Sequence, residues 1–132
     1  KLIQKLRLSD QVSIKKSIKN SRLSKTLKDF DLFACHSDYQ EISKSVLEAL
    51  SCGLPVVINK NPYKPIKEIS NDMVFFYKSK PDDLHKLFKK LIKNKKIREK
   101  VGKKGRQEFE KFCNPFKIEK EIVQIYRNLA CN

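Results

Sequence analysis

Three short apolar runs constrain this chain most: residues 31–35 (DLFAC), 55–59 (PVVIN) and 73–77 (MVFFY), each followed by polar or turn-forming residues. Consecutive apolar positions in runs this short suit strands covered on both faces, as in a parallel sheet. The stretches between them carry apolar residues at helical spacing instead. Residues 43–52 hold Val46, Leu47 and Leu50, and Gly53 stands where a helix stop belongs. Residues 81–94 place Leu84, Leu87, Phe88, Leu91 and Ile92 on one side, with Asp82 and Asp83 near the positive end of the helix dipole. Residues 96–112 read as a further helix. Asn114 and Pro115 then open a last one as N-cap and first helical residue, with Phe116, Ile118, Ile122, Ile125 and Tyr126 on its apolar face. Upstream, residues 1–8 read as the tail of a helix and 11–15 (QVSIK) as a short alternating strand. Residues 21–29 read as a helix with Asn20 or Ser21 as N-cap, and 65–69 as a short helical turn. Strands alternating with helices define an α/β class, a Rossmann-like parallel sheet flanked by helices, with about four strands and five or six helices. No repeat or low-complexity linker divides residues 1–132, so a single domain is expected.

Composition narrows the partners. Thirty Lys and Arg against fifteen Asp and Glu give a net charge of +15, a surface that attracts nucleotides, nucleic acid and anionic lipid head groups. The lysines are spread along the chain and the aromatic residues lie within apolar runs, which disfavours a nucleic-acid module built on interleaved bases and cations. Dispersed lysines also fit solvated helix faces. The apolar runs fall short of the roughly 20 residues a membrane-spanning helix needs. Cys35, Cys52, Cys113 and Cys131 form no CxxC pair, and neither His36 nor His85 has ligand spacing with them. No metal site is expected. Cysteines inside apolar stretches point to a reduced, cytoplasmic setting, with peripheral contact at an anionic inner membrane face compatible with the charge. The first residue is Lys1 rather than Met, which suggests a segment of a longer chain or a processed one.

Chemistry concentrates after the first apolar run. Ligands of an open parallel sheet bind beyond the carboxyl ends of its strands, which here is the loop 36–42 and the start of the helix at 43. The first N–H groups of that helix have no intrahelical acceptor and suit a diphosphate. Ser43 and Ser45 add hydroxyl donors, and Lys44 adds a positive charge. Glu48, further along, can accept two hydrogen bonds from neighbouring hydroxyls, as on a ribose. The same carboxylate could instead be an exposed helix glutamate paired with Lys44 at i−4. Ser43 could serve only as a cap, and His36 as a packed residue at a strand end.

Glu48-Ala49-Leu50-Ser51-Cys52-Gly53-Leu54-Pro55-Val56-Val57 resembles the core signature of retaining glycosyltransferases with the two-domain GT-B fold, in particular the large family four. The resemblance runs in order along nearly the whole chain. It takes in Phe30-Asp31-Leu32-Phe33, His36-Ser37 where Pro-Ser is usual, Pro65 to Ile69, Pro81-Asp82-Asp83-Leu84, Ile97 to Gly102 with Gly105-Arg106, and Asn114-Pro115-Phe116. It implies the donor-binding, C-terminal domain of such an enzyme, binding a nucleoside diphosphate sugar without metal or other cofactor. The acceptor, a sugar or lipid-linked sugar in cell-envelope synthesis, would meet an N-terminal domain absent from this sequence. Glu48 takes the ribose role. The family's first acidic position falls on Gln40, and Glu41 follows where glycine is usual, so the residue beside the transferred sugar is Gln40 or Glu41. The upstream strand, glycine loop and basic pair that bind the diphosphate in the family are not seen before Lys1.

Overall fold

The computed structural model describes residues 1–38, 42–60, 69–78 and 80–130. Its centre is a parallel sheet of three strands, β1 (Phe33–Cys35), β2 (Val56–Asn59) and β3 (Phe75–Tyr77), in the order β1-β2-β3. Phe33 pairs with Val56 and Cys35 with Ile58, and Val57 pairs in turn with Phe75 and Asn59 with Tyr77. β2 is buried at every position because it has a strand on each side and helices on each face. Side-chain alternation along it feeds two cores. Val56 and Ile58 join Val46, Ala49 and Leu50 on one face, while Val57 joins Tyr77 and Leu91 on the other.

The helices are α1 (Leu2–Lys5), α2 (Asn20–Lys28), α3 (Lys44–Ser51), α4 (Pro81–Lys93), α5 (Lys95–Phe112) and α6 (Pro115–Ala130). α3 starts where Ser43 caps it, its hydroxyl oxygen accepting from the Val46 N–H. It ends in a Schellman turn: the Gly53 N–H donates to the Leu50 carbonyl and the Leu54 N–H to that of Ala49, with Gly53 at φ 72. Asn94 caps α5 through the Ile97 N–H. As expected, Asn114 caps α6, accepting from the Phe116 and Lys117 N–H groups. The apolar side chains of α6 are not buried among the described residues.

The amino-terminal fifth departs from the sequence reading. Residues 11–15 form no strand; Val12 and Ile14 are exposed, and no strand among the described residues pairs with them. α1 is a single turn rather than a helix to residue 8, because Arg7 takes φ 55 and ends it. α2 is capped by the Lys19 backbone, whose carbonyl takes the Arg22 N–H, so Asn20 and Ser21 are both helical and neither is the cap. Among the described residues there are thus three strands rather than four. The turn expected at 65–69 lies outside the described residues except for Ile69.

Candidate functional site

The three strands deliver one polar residue each to the carboxyl edge of the sheet. His36 follows β1, Asn59 ends β2, and Tyr77 ends β3. The Asn59 side chain is buried, and its amide grips the backbone of Ser37: Oδ1 accepts from the Ser37 N–H at 2.8 Å, and Nδ2 donates to the Ser37 carbonyl at 2.9 Å. His36 Nδ1 lies 2.7 Å from the Tyr77 hydroxyl, and Nε2 lies 3.5 Å from Asp38. Burial, and secondarily the nearby Cys35, push the Tyr77 phenol above its usual pKa, so it keeps its proton. The Lys60 N–H donates to the Tyr77 carbonyl, and its ammonium sits 5.9 Å from the centre of the Phe76 ring. The segment leaving β1 is therefore tied to β2 and β3 at its first two residues.

The N-terminus of α3 opens on this same edge. Lys44 is its first residue, and the Ser45 hydroxyl lies 3.1 Å from that of Ser43. The Ser43 oxygen accepts the capping bond from the Val46 N–H, and its hydroxyl lies in hydrogen-bond range of Ser45. Glu48 lies one turn on from Lys44. It faces a groove between α2 and α3 of about 260 Å³. Lys44, Glu48, Ser51 and Cys52 form one wall, and Asn20, Leu23, Ser24 and Leu27 of α2 the other. The Glu48 side chain is 29% exposed and stands 3.9 Å from the Lys44 ammonium, which is 78% exposed. An i,i+4 pair at that distance and exposure is worth only a few tenths of a kcal/mol. The helix-pair reading of Glu48 is thus present in the geometry, and it leaves the carboxylate open to the groove.

The structure places Ser43 at the cap of α3 and Lys44, Ser45 and Glu48 within its first five residues. Gln40 and Glu41 lie outside the described residues. Sequence reasoning missed Asn59 as the pin of the loop, and Asn20 and Ser24 as the far wall of the groove. A polar residue closing the otherwise apolar run PVVIN was the available signal for Asn59. Nothing local marks Asn20 or Ser24.

The N-terminus of α3 opens at the carboxyl edge of a parallel sheet, where open α/β domains bind their ligands, and the α2–α3 groove runs from there along α3 to Cys52. The family model described as Glycosyl transferases group 1 matches residues 1–108. The chain belongs to that family. Among solved structures, sucrose-phosphate synthase from Thermosynechococcus elongatus is similar in fold, with a TM-score of 0.83 at 21% identity. The match covers 98% of this chain and 33% of that one, so this chain spans about a third of the length of the synthase. The fold is that of a partial GT-B, Rossmann-like domain. No curated protein matches.

Proposed function

We propose that this chain is the donor-binding part of a retaining glycosyltransferase that moves a glycosyl group from a nucleoside diphosphate sugar to an acceptor. The observation that carries the reading is Glu48: a carboxylate facing a groove, one turn behind a helix N-terminus that opens on the sheet's carboxyl edge. Diphosphate would sit at the first amides of α3 beside Lys44, and the ribose diol would bridge the Glu48 oxygens. Negative charge developing on the leaving diphosphate would be met by the helix dipole and Lys44, with no metal required. The acceptor, a sugar or lipid-linked sugar of the cell envelope, would bind on a second domain across the cleft. The setting that fits this chemistry is the cytoplasm.

Calorimetric titration with nucleoside diphosphates tests the donor site. Glu48→Ala is expected to weaken binding by at least tenfold, the equivalent of about 1.4 kcal/mol. Equal affinity in the variant would defeat the ribose assignment. A second reading, a nucleotide-binding remnant without turnover, is favoured by Gln40 standing at the first acidic position. Under it, the chain binds nucleotide and transfers no sugar, even with a domain supplying the other wall of the cleft. Gln40→Glu would then be the variant to assay for gained transfer.

A further inference from the structure

The opposite, amino edge of the sheet carries a second patterned surface, independent of whether nucleotide binds at Glu48. Three helix ends converge there: the last turns of α2 and α4 and the first turn of α5. Arg98, near the start of α5, holds them in place. It donates to the Leu91 carbonyl of α4 at 2.7 Å and reaches Asp31, just before β1, at 2.7 Å. Two large apolar side chains are left outside this junction. Phe30 is 52% exposed and Ile92 is 72% exposed. Phe30 lies on the rim of a depression of about 350 Å³ that Lys28 and Lys95 share, and Ile92 lies beside the Asp31–Arg98 pair.

The charges around these two residues are lopsided. Asp31 is taken by Arg98, and Glu99 by Lys95 at 3.7 Å. Lys25 and Lys28 at the end of α2, Lys93 at the end of α4 and Lys96 in α5 are exposed, and none has an acidic partner within ion-pair distance among the described residues. Asp29 is the acidic side chain there that forms no such pair either. Lysines in a helix's last turn answer its negative end, which accounts for Lys25, Lys28 and Lys93. That account does not reach Lys96, which stands at a helix start, nor the two exposed apolar side chains.

We propose that this edge rests on an anionic lipid surface, with Phe30 and Ile92 entering the head-group region and Lys28, Lys93 and Lys96 meeting lipid phosphates. Exposed apolar residues ringed by lysine are what an interfacial contact requires. Nucleic acid is a poorer fit, since Ile92 offers no face for base stacking and Arg98 is spent on the protein's own carbonyls and Asp31. Contact through this edge leaves the carboxyl edge, with α3 and Glu48, directed into water.

Co-sedimentation with phosphatidylglycerol–phosphatidylcholine vesicles tests the proposal, with pure phosphatidylcholine vesicles as the neutral surface. The protein is expected to bind the anionic vesicles alone. The triple change Lys28→Glu, Lys93→Glu and Lys96→Glu should weaken binding by about tenfold or more, given the size of the attraction per lysine. Lys15→Glu, Lys103→Glu and Lys120→Glu, the same change in net charge placed elsewhere, should cost much less. Ile92→Ser removes no charge and alters a side chain that is 72% exposed, so it should lower binding while circular dichroism stays that of the parent. Equal losses from the two triple variants would overturn the proposal, showing attraction to net charge alone. So would binding to a single-stranded oligonucleotide but not to vesicles.

Discussion

Asn59 and Arg98 are two polar side chains turned inward at opposite edges of the sheet, and each holds backbone, Arg98 together with the Asp31 carboxylate. Asn59→Ala removes the two hydrogen bonds that its buried amide makes to the half-buried Ser37 backbone. Two such bonds together contribute about 1–3 kcal/mol. Urea denaturation should show a loss in that range, and a loss below about 0.5 kcal/mol would mean water replaces the amide freely. Arg98 is 11% exposed, whereas its partner Asp31 is 82% exposed, so the ion pair itself contributes little. The carbonyls of Leu91 and Ile92, at 2.7 and 3.2 Å, matter more, because α4 ends there and the Asn94 N–H reaches Leu91 at 3.2 Å. Arg98→Lys keeps the charge but not the fork. We expect it to lose about 1–2 kcal/mol of stability in the same assay, while Asp31→Asn loses less than about half of that.

Helix α5 owes its position to two glycines that helix propensity alone would replace. A Cβ on Gly102 would lie 2.3 Å from the Gly53 carbonyl oxygen, and one on Gly105 would lie 2.8 Å from both Leu50 and the Met73 carbonyl. Glycine costs an ordinary helix interior about 1 kcal/mol relative to alanine, so Gly→Ala would usually stabilise. Here the methyl meets backbone on the Schellman turn and on the segment before β3, and neither can yield without shifting a strand. Gly102→Ala should therefore destabilise by about 1–3 kcal/mol, the opposite sign, as measured by thermal denaturation. The sequence resemblance placed both glycines in the family pattern, but their reason is a contact between residues about fifty positions apart. The same limit explains what else was and was not legible. The buried strand 55–59, the caps at Ser43, Asn94 and Asn114 and the stop at Gly53 follow from neighbours in the chain, though Asn94 as a cap went unread. The α2–α3 groove, the grip of Asn59 on Ser37 and the absence of a strand at 11–15 depend on what packs from elsewhere, which periodicity does not carry.

For the molecule as a whole, thirty basic side chains against fifteen acidic ones set how stability responds to solvent. Half the cations have no acidic counterpart even if every acid were paired, and exposed pairs are each worth less than about 1 kcal/mol. Self-repulsion should therefore outweigh the surface ion pairs, so adding salt should raise the melting temperature as charges are screened. A melting temperature that falls between low and moderate salt would mean that the pairs dominate. Acid works in the other direction. Hydrogen bonds from Lys104 and then Lys111 hold the Glu108 carboxyl below its usual range, and a hydrogen bond from Ser70, with Lys104 nearby, does the same for Asp72. A carboxyl depressed in the folded state stabilises above its unfolded pKa, and that contribution is lost as pH falls through the folded value. Protonating these groups also frees Lys104, whose own pKa is raised chiefly by the hydrogen bond to Glu108, and increases the net positive charge. Stability should thus decline through the acidic range where carboxylates titrate and stay level near neutrality. Glu108→Gln should be less stable than the parent at neutral pH and converge with it in acid, because the parent has by then lost the same interaction. Parallel pH profiles of the two proteins, separated by a constant offset down to the lowest pH, would show that Glu108 acts through its packing and not through its charge.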